Sequence, residues 1–128
     1  MDLMLKNKVV IVTGGAKGIG RAIVEVLMAE GAMPFVIGRN EVDNLKMGCA
    51  FYTAELTEPE QCRLAVAAAI KEYGRIEGVV NNAGENDGVS LEHGSYQKFM
   101  ESLHKNLVHY YLIAQYSLPH LIKSKRAI

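Results

Sequence analysis

The chain has 128 residues, of which 49% are hydrophobic and 22% are charged, and its formal net charge at pH 7 is zero. This length allows one globular domain with its own core, and the lack of a basic excess argues against a nucleic-acid partner. No apolar run approaches the ~20 residues of a membrane span, so we expect no membrane partner.

The first predicted element is a strand over residues 8–13, where β-branched apolar residues predominate. It leads directly into the glycine-rich segment Thr13-Gly14-Gly15-Ala16-Lys17-Gly18-Ile19-Gly20. A helix is predicted over residues 18–30, with Gly31 at the position expected of a C-terminal cap. Its predicted apolar face consists of Ile19, Ile23, Val26 and Leu27.

The order strand, glycine turn, helix is typical of an anion site. Glycine allows positive φ angles and the close approach of a ligand, and the helix directs unpaired N–H groups and a partial positive charge at the turn. A pyrophosphate suits such a site. The alternative interpretation is a turn with a structural role alone.

Further strands are predicted over residues 33–37, 49–53 and 78–82. The sequence Thr57-Glu58-Pro59-Glu60 has the pattern of a capping box with proline in the first turn, and it predicts a helix that continues to Tyr73. Cys62, Val66, Ala69 and Ile70 form its predicted inward face.

A polar loop is predicted over residues 85–94, followed by a long helical region that Ser95 caps and that continues to Lys123 with a bend near Pro119. This region has two apolar stripes, of which one can cover a sheet. The second needs a partner, either another helix or a second subunit, so we expect a homo-oligomer that forms through residues 96–124. Residues 126–128 are interpreted as the beginning of a fifth strand.

Strands that alternate with helices predict an α/β fold with a doubly wound parallel sheet of the Rossmann type. Residues 1–128 are expected to form a single unit. Ligands bind such sheets at the carboxyl ends of the strands, where Thr13, Gly38, Thr53 and Asn82 are predicted to share one edge.

Two cysteines, Cys49 and Cys62, are too few for a disulfide framework, and neither they nor the four histidines have the spacing of metal ligands. We therefore expect no metal, and two reduced, buried thiols in a cytoplasmic protein.

A second motif, Asn81-Asn82-Ala83-Gly84, follows the fourth predicted strand. In isolation it reads as a turn of the Asn-Gly type. Together with the spacing Thr-Gly-x-x-x-Gly-x-Gly from Thr13, however, it resembles the short-chain dehydrogenase/reductase family over essentially the whole chain. The resemblance implies an NAD(P) site formed by Gly14, Lys17, Gly18, Ile19, Gly20, Arg39, Glu55, Leu56, Asn82, Ala83 and Gly84.

The resemblance also implies a catalytic set that is only partly present. The family uses a serine and a Tyr-x-x-x-Lys pair after the fifth strand, and none of the six tyrosines here has a lysine four residues later. Asn106 matches the family's helix asparagine, which positions a water in the proton relay. We therefore expect these residues to be the cofactor-binding half of a longer enzyme, truncated before the fifth strand is complete.

The end of the second strand bears on cofactor choice. Gly38 stands where an acidic residue would favour NAD, Arg39 follows, and Lys17 adds a second cation in the glycine turn. Two cations with no carboxylate beside them predict NADP, through the 2′-phosphate. NAD remains the alternative, with Arg39 stacked on adenine or in solvent. The resemblance also implies that Glu55-Leu56 stands where the family has the shorter Asp followed by an apolar residue, near the adenine.

A closer resemblance, to the bacterial L-fucose dehydrogenase subgroup, rests on residues 81–88, 106–111 and 118–121. It implies oxidation of an L-fucose-like sugar or another secondary alcohol, with Asn86 and Asp87 as candidate substrate residues. The alternative for Asn86-Asp87-Gly88 is a polar turn. The alternative for the whole chain is a non-catalytic dinucleotide-binding or interaction module.

Overall fold

A computed structural model describes all 128 residues of the chain. Strands and helices alternate through most of it, in the order β1 (Val9–Thr13), α1 (Gly18–Ala29), β2 (Met33–Gly38), α2 (Glu41–Leu45), β3 (Ala50–Thr53), α3 (Pro59–Tyr73), β4 (Gly78–Val80), α4 (Tyr96–Leu103) and α5 (His109–Lys123). A π-helical turn, His104–Val108, joins α4 to α5. No helix is long and apolar enough to cross a membrane.

The four strands form one parallel sheet in the order β3-β2-β1-β4. The chain moves outward from β1 to β3 on one side and then crosses to place β4 on the other side of β1. This reversal confirms the doubly wound fold, and it opens a crevice at the carboxyl end of β1.

The core lies on both faces of the sheet, which explains why β1 is apolar at nearly every position. Successive side chains alternate between the faces: Ile11 packs with the cluster under α3 and α5, whereas Val10 and Val12 pack with the cluster under α1. Ile113 of α5 belongs to the first cluster and Val24 of α1 to the second.

The predicted apolar face of α1 is wrong at two positions. Ile19 and Val26 are 76% and 55% exposed, whereas the buried residues are Gly20, Val24 and Leu27. The helix packs through Gly20 because no side chain fits there. A pattern based on hydrophobicity does not register glycine as a buried residue, so the predicted face was rotated.

Of the two predicted N-terminal helix caps, the cap of α4 forms and the cap of α3 does not. Ser95 caps α4 as expected, because its Oγ accepts a hydrogen bond from the Lys98 N–H at 3.1 Å. The capping box at Thr57 does not form: Glu58 is the N-terminal cap of α3 and makes no side-chain capping bond. The Thr57 hydroxyl instead donates to Glu55 Oε1 at 3.0 Å.

The short helix α2 was not predicted. Asn40 caps it by accepting a hydrogen bond from the Asp43 N–H at 3.0 Å. The sequence signal was an asparagine followed by two acidic residues in the first turn, but five residues are too few to show a helical period.

The long helical region also differs from prediction in where its geometry changes. The π-helical turn over His104–Val108 is the departure from α-helical geometry, whereas Pro119 lies inside α5, which continues to Lys123. Residues 126–128 form no strand, although the Ile128 N–H donates to the Glu77 carbonyl at 2.8 Å beside β4. Strand β4 itself is shorter than predicted and ends at Val80.

Candidate functional site

A groove of about 680 Å³ runs along the carboxyl ends of the strands. Its walls come from the glycine turn, the end of β2, helix α2, the loop after β3, the segment after β4 and the π-helical turn. Of the residues predicted to bind the cofactor, those that line the groove are Gly14, Lys17, Gly18, Ile19, Arg39, Glu55, Leu56, Asn82, Ala83 and Gly84.

The glycine turn leaves the start of α1 open to an anion. Gly14 and Gly18 have φ angles of +65° and +53°, and an added Cβ at Gly18 would meet no atom within 4 Å outside its chain neighbours and its own helix backbone. Helix α1 has no side-chain cap and no acidic residue in its first turn. Its first N–H groups therefore have no protein side chain to satisfy them, which is the condition for binding a phosphate there.

Gly20 does not line the groove and supports it from behind. A Cβ at this position would overlap the Gly14 carbonyl and the Asn82 Nδ2. Glycine is therefore required so that α1 can pack against the turn and against the segment after β4.

Thr13 and Asn82 join the ends of β1 and β4. The Thr13 hydroxyl oxygen accepts hydrogen bonds from the N–H groups of Asn82 at 3.0 Å and Ala83 at 3.1 Å. Asn82 Nδ2 donates to the carbonyls of Thr13 and Gly14, both at 3.2 Å. Four hydrogen bonds thus fix the glycine turn relative to the opposite wall. The sequence predicts Thr13 at this edge of the sheet but does not predict these hydrogen bonds.

Asn106 lies in the π-helical turn and braces the wall formed by Gly84 and Glu85. Its Oδ1 accepts a hydrogen bond from the Glu85 N–H at 2.7 Å, and its Nδ2 donates to the Ser102 carbonyl at 3.1 Å. A Cβ at Gly84 would lie 2.8 Å from Asn106 Oδ1, so glycine is needed for this contact. Isolated π-helical turns of this kind are frequent at functional sites.

Both cations predicted to meet a phosphate already have carboxylate partners. Lys17 Nζ lies 3.1 Å from Asp43 Oδ2, and Arg39 Nη2 lies 3.1 Å from Glu85 Oε2. The expectation that no carboxylate stands beside them is therefore wrong. Asp43 belongs to α2, which was not predicted, and Glu85 reaches Arg39 from the segment after β4. Neither contact has a signal in the sequence.

A buried asparagine explains why an acidic residue is absent at the end of β2. Asn44 is fully buried, and its Nδ2 donates to the Gly38 carbonyl at 3.0 Å and to the Thr53 hydroxyl at 3.3 Å. A Cβ at Gly38 would lie 2.7 Å from Asn44 Oδ1. Any larger residue at position 38 would displace Asn44, which sequence reasoning missed.

The loop after β3 places Glu55 and Leu56 in the groove wall. Glu55 Oε1 accepts hydrogen bonds from the Thr57 hydroxyl at 3.0 Å and the Thr57 N–H at 3.3 Å, while the Glu55 N–H donates to Gln61 Oε1 at 2.6 Å. Leu56 is largely buried and supplies apolar surface. These bonds hold the loop independently of any ligand.

Asn86 and Asp87 lie outside the groove lining. Asn86 Oδ1 accepts a hydrogen bond from the Gly88 N–H at 3.1 Å, and Asp87 Oδ1 accepts one from the Val89 N–H at 3.3 Å. A hydrogen bond from Ser102 lowers the pKa of Asp87 below its usual value. These are the bonds of a polar turn, and the structure does not bring the two residues to the cofactor residues.

Comparison with known proteins gives consistent matches along the chain. The family model for short chain dehydrogenases matches residues 8–128. L-fucose dehydrogenase of Bos taurus is 36% identical over 131 aligned residues, which cover 98% of this chain and 48% of the relative.

Two solved structures resemble the fold closely. Cj0485 dehydrogenase superposes with a TM-score of 0.89 at 37% identity, covering 96% of this chain and 50% of that one. Aldohexose dehydrogenase of Thermoplasma acidophilum superposes with a TM-score of 0.84 at 32% identity, covering 94% and 47%. The chain thus spans about half the length of the proteins it matches.

Proposed function

The chain belongs to the short-chain dehydrogenase family, and from this membership we propose that its protein is an NAD(P)-dependent oxidoreductase acting on a sugar or another secondary alcohol. The observation that carries the proposal is the open start of α1 above the glycine turn, at the reversal point of the sheet. A pyrophosphate there accepts hydrogen bonds from N–H groups that no side chain caps.

Different residues of the groove are proposed to contact different parts of a dinucleotide. Gly14 and Gly18 let the backbone approach the phosphates, and Leu56 and Ala83 offer apolar surface to the adenine. Bound nicotinamide supplies the hydride acceptor. The protein's part is to orient it, and the four hydrogen bonds that join Thr13 and Gly14 to Asn82 and Ala83 keep both walls of the groove in register.

Asn106 is proposed to hold a water of the proton relay. An amide side chain has two acceptor positions on oxygen and two donor hydrogens on nitrogen. Glu85 and Ser102 use one of each, so one acceptor position and one donor remain for water. The π-helical turn holds the amide in place while leaving these positions free.

NADP(H) is the proposed cofactor, with NAD(H) as the alternative. Lys17 and Arg39 line the groove together with Gly38 at the end of β2, and both are largely exposed, so a 2′-phosphate can reach them. We expect Arg39→Asp to weaken NADP(H) binding more than NAD(H) binding, because the loss of a charge-assisted bond costs roughly 1.5–3 kcal/mol.

Dissociation constants of both cofactors for the parent and the variant check this prediction. Arg63→Asp is the matched control, since Arg63 pairs with Glu60 on α3 away from the groove lining. Equal affinities of the parent for the two cofactors would contradict the preference.

The proposed substrate is an L-fucose-like aldose, oxidised at the anomeric hydroxyl to a lactone. The proposal is supported by similarity to a curated L-fucose dehydrogenase and to an aldohexose dehydrogenase. Asn86 and Asp87 are the proposed sugar residues, since they carry acceptor oxygens and an amide donor on the loop that leaves β4. Their use requires the loop to exchange its turn bonds for sugar hydroxyls.

Turnover by the full-length protein tests the function. Reduction of nicotinamide in the presence of L-fucose is the expected result, and Asp87→Ala should raise KM for the sugar with cofactor affinity nearly unchanged. Activity on apolar ketones or acyl thioesters alone would exclude the sugar. Cofactor binding without turnover of any alcohol would favour a non-catalytic binding module.

We further propose that the protein forms homo-oligomers through residues 96–124. Leu107, Tyr111 and Leu118 are all more than half exposed along this region and form an apolar surface suited to a second copy. A cytoplasmic location is also proposed, supported by two cysteines that are both free thiols.

A further inference from the structure

We propose that Glu85 is a specificity-determining residue that competes with the cofactor's 2′-phosphate for Arg39. The proposal rests on the dinucleotide function proposed above. It concerns how strongly the groove distinguishes a phosphorylated from an unphosphorylated adenosine ribose.

The ion pair between Arg39 and Glu85 crosses the groove. Arg39 follows β2 and Glu85 comes after β4, and these strands lie on opposite sides of β1. At a spacing of ~4.8 Å between neighbouring strands, the ends of β2 and β4 are about 10 Å apart. The two side chains nevertheless approach to 3.1 Å, so they bridge the opening above the end of β1.

Glu85 is held in position for this contact. Asn106 fixes its backbone N–H at 2.7 Å, and Lys105 Nζ lies 3.5 Å from its second carboxylate oxygen. The side chain of Glu85 is 34% exposed, whereas that of Arg39 is 69% exposed. The carboxylate is thus the anchored partner, and Arg39 is the partner that can turn towards a ligand.

A 2′-phosphate can therefore bind Arg39 only if the ion pair between Arg39 and Glu85 breaks. The phosphate also experiences the negative charge of Glu85 across the groove. An unphosphorylated ribose neither breaks the ion pair nor experiences this repulsion. Glu85 therefore lowers the affinity advantage of NADP(H) over NAD(H). Exposed ion pairs of this kind change binding equilibria by up to about fivefold.

Glu85→Gln tests the competition, because glutamine keeps the size of the side chain and the backbone bond to Asn106. Calorimetry on the full-length protein compares adenosine 2′,5′-bisphosphate with adenosine 5′-monophosphate, which differ only in the 2′-phosphate. The expected result is an approximately two- to fivefold tighter binding of the bisphosphate, with the monophosphate unchanged. The gain should shrink at ~1 M salt.

Two further variants decide the cause. Glu25→Gln removes a carboxylate from an exposed arginine pair on α1 and should leave both affinities unchanged. In an Arg39→Gln background, Glu85→Gln should lose most of its effect. An undiminished gain there would show a general charge effect and overturn the competition, as would an unchanged ratio of the two ligands in Glu85→Gln alone.

Failure of the proposed function gives a different result. If the parent binds neither adenosine ligand, the groove is not a dinucleotide site, and the inference falls with it. If both ligands bind and only the effect of Glu85→Gln is absent, the dinucleotide site stands and the inference alone is overturned.

Discussion

The Thr13 side chain holds the end of β1 against the segment after β4. Its hydroxyl oxygen accepts hydrogen bonds from two backbone N–H groups that would otherwise have no partner at the end of β4. We expect Thr13→Val, which preserves the shape, to lower the free energy of unfolding by about 1–3 kcal/mol, because it leaves those donors unsatisfied.

Chemical denaturation of the full-length protein measures this loss. Thr53→Val is the matched control, since the Thr53 hydroxyl accepts a single bond at 3.3 Å from Asn44. A smaller effect of Thr13→Val than of Thr53→Val would contradict a structural role for the bonds between β1 and the segment after β4.

The two thiols should react at very different rates. Burial raises the pKa of both thiols, that of Cys62 to about 11. The Cys62 Sγ–H also donates to the Leu56 carbonyl at 3.3 Å, whereas Cys49 is only half-buried. The thiolate is the reactive form, so at pH 8 about one Cys62 in a thousand is reactive. We expect a disulfide reagent to label Cys49 first and Cys62 only after unfolding.

The same shift makes stability depend on pH. The raised pKa of Cys62 means that the folded state retains its proton more strongly than the unfolded state, whose thiol titrates near ~8.5. The stabilising contribution is therefore complete below that value and is lost as pH rises towards 11.

Peptide mapping after timed labelling identifies which thiol reacts first, and equal labelling rates at Cys49 and Cys62 would contradict the predicted order.

At the scale of elements, sequence patterns predicted most of the fold because the strands are buried on both faces and the longer helices show a clear period. The patterns failed where the structure depends on few residues or on contacts across the sheet. Helix α2 is too short for a period, and the π-helical turn at Asn106 has no propensity signature. The same holds for the candidate site. The sequence predicts the glycine turn, but it does not predict the ion pairs of Asp43 and Glu85, which enter the groove from distant parts of the chain.

The exposed apolar side chains near helix α5 allow a test of the proposed homo-oligomer. Leu107 of the π-helical turn and Tyr111 and Leu118 of α5 form an exposed apolar stripe, which a second copy of the protein would bury. We expect Leu118→Glu to reduce the molar mass in solution, because a charge in the centre of an apolar interface must be desolvated.

Light scattering after size-exclusion chromatography of the full-length protein gives that mass. Leu64→Glu on α3 is the control, since Leu64 is exposed on a different helix. An unchanged mass for Leu118→Glu, or an equal change for Leu64→Glu, would contradict an interface on residues 96–124.

For the molecule as a whole, the two inner strands of the sheet, β1 and β2, are better supported than the two edge strands, β3 and β4. Strand β1 has a partner on each side, whereas β4 pairs only with β1 along its length. On the outer side, the Ile128 N–H is the backbone group that reaches the Glu77 carbonyl, at 2.8 Å. The cofactor groove thus lies over the well-supported centre of the sheet, whereas β4 lies at one of its edges.

We expect these 128 residues produced alone to be poorly stable and to catalyse nothing. None of the six tyrosines is followed four residues later by a lysine, so the general acid/base pair expected of the family is absent from this stretch. The open edge of β4 and the exposed apolar residues of α5 favour aggregation. We expect no reduction of nicotinamide with L-fucose, and a scattering signal that rises with concentration, while the full-length protein assayed in parallel turns over. Steady turnover by a monomeric 128-residue chain would place the catalytic groups inside it, and His109, which is buried and lines the groove, would then be the first residue to replace.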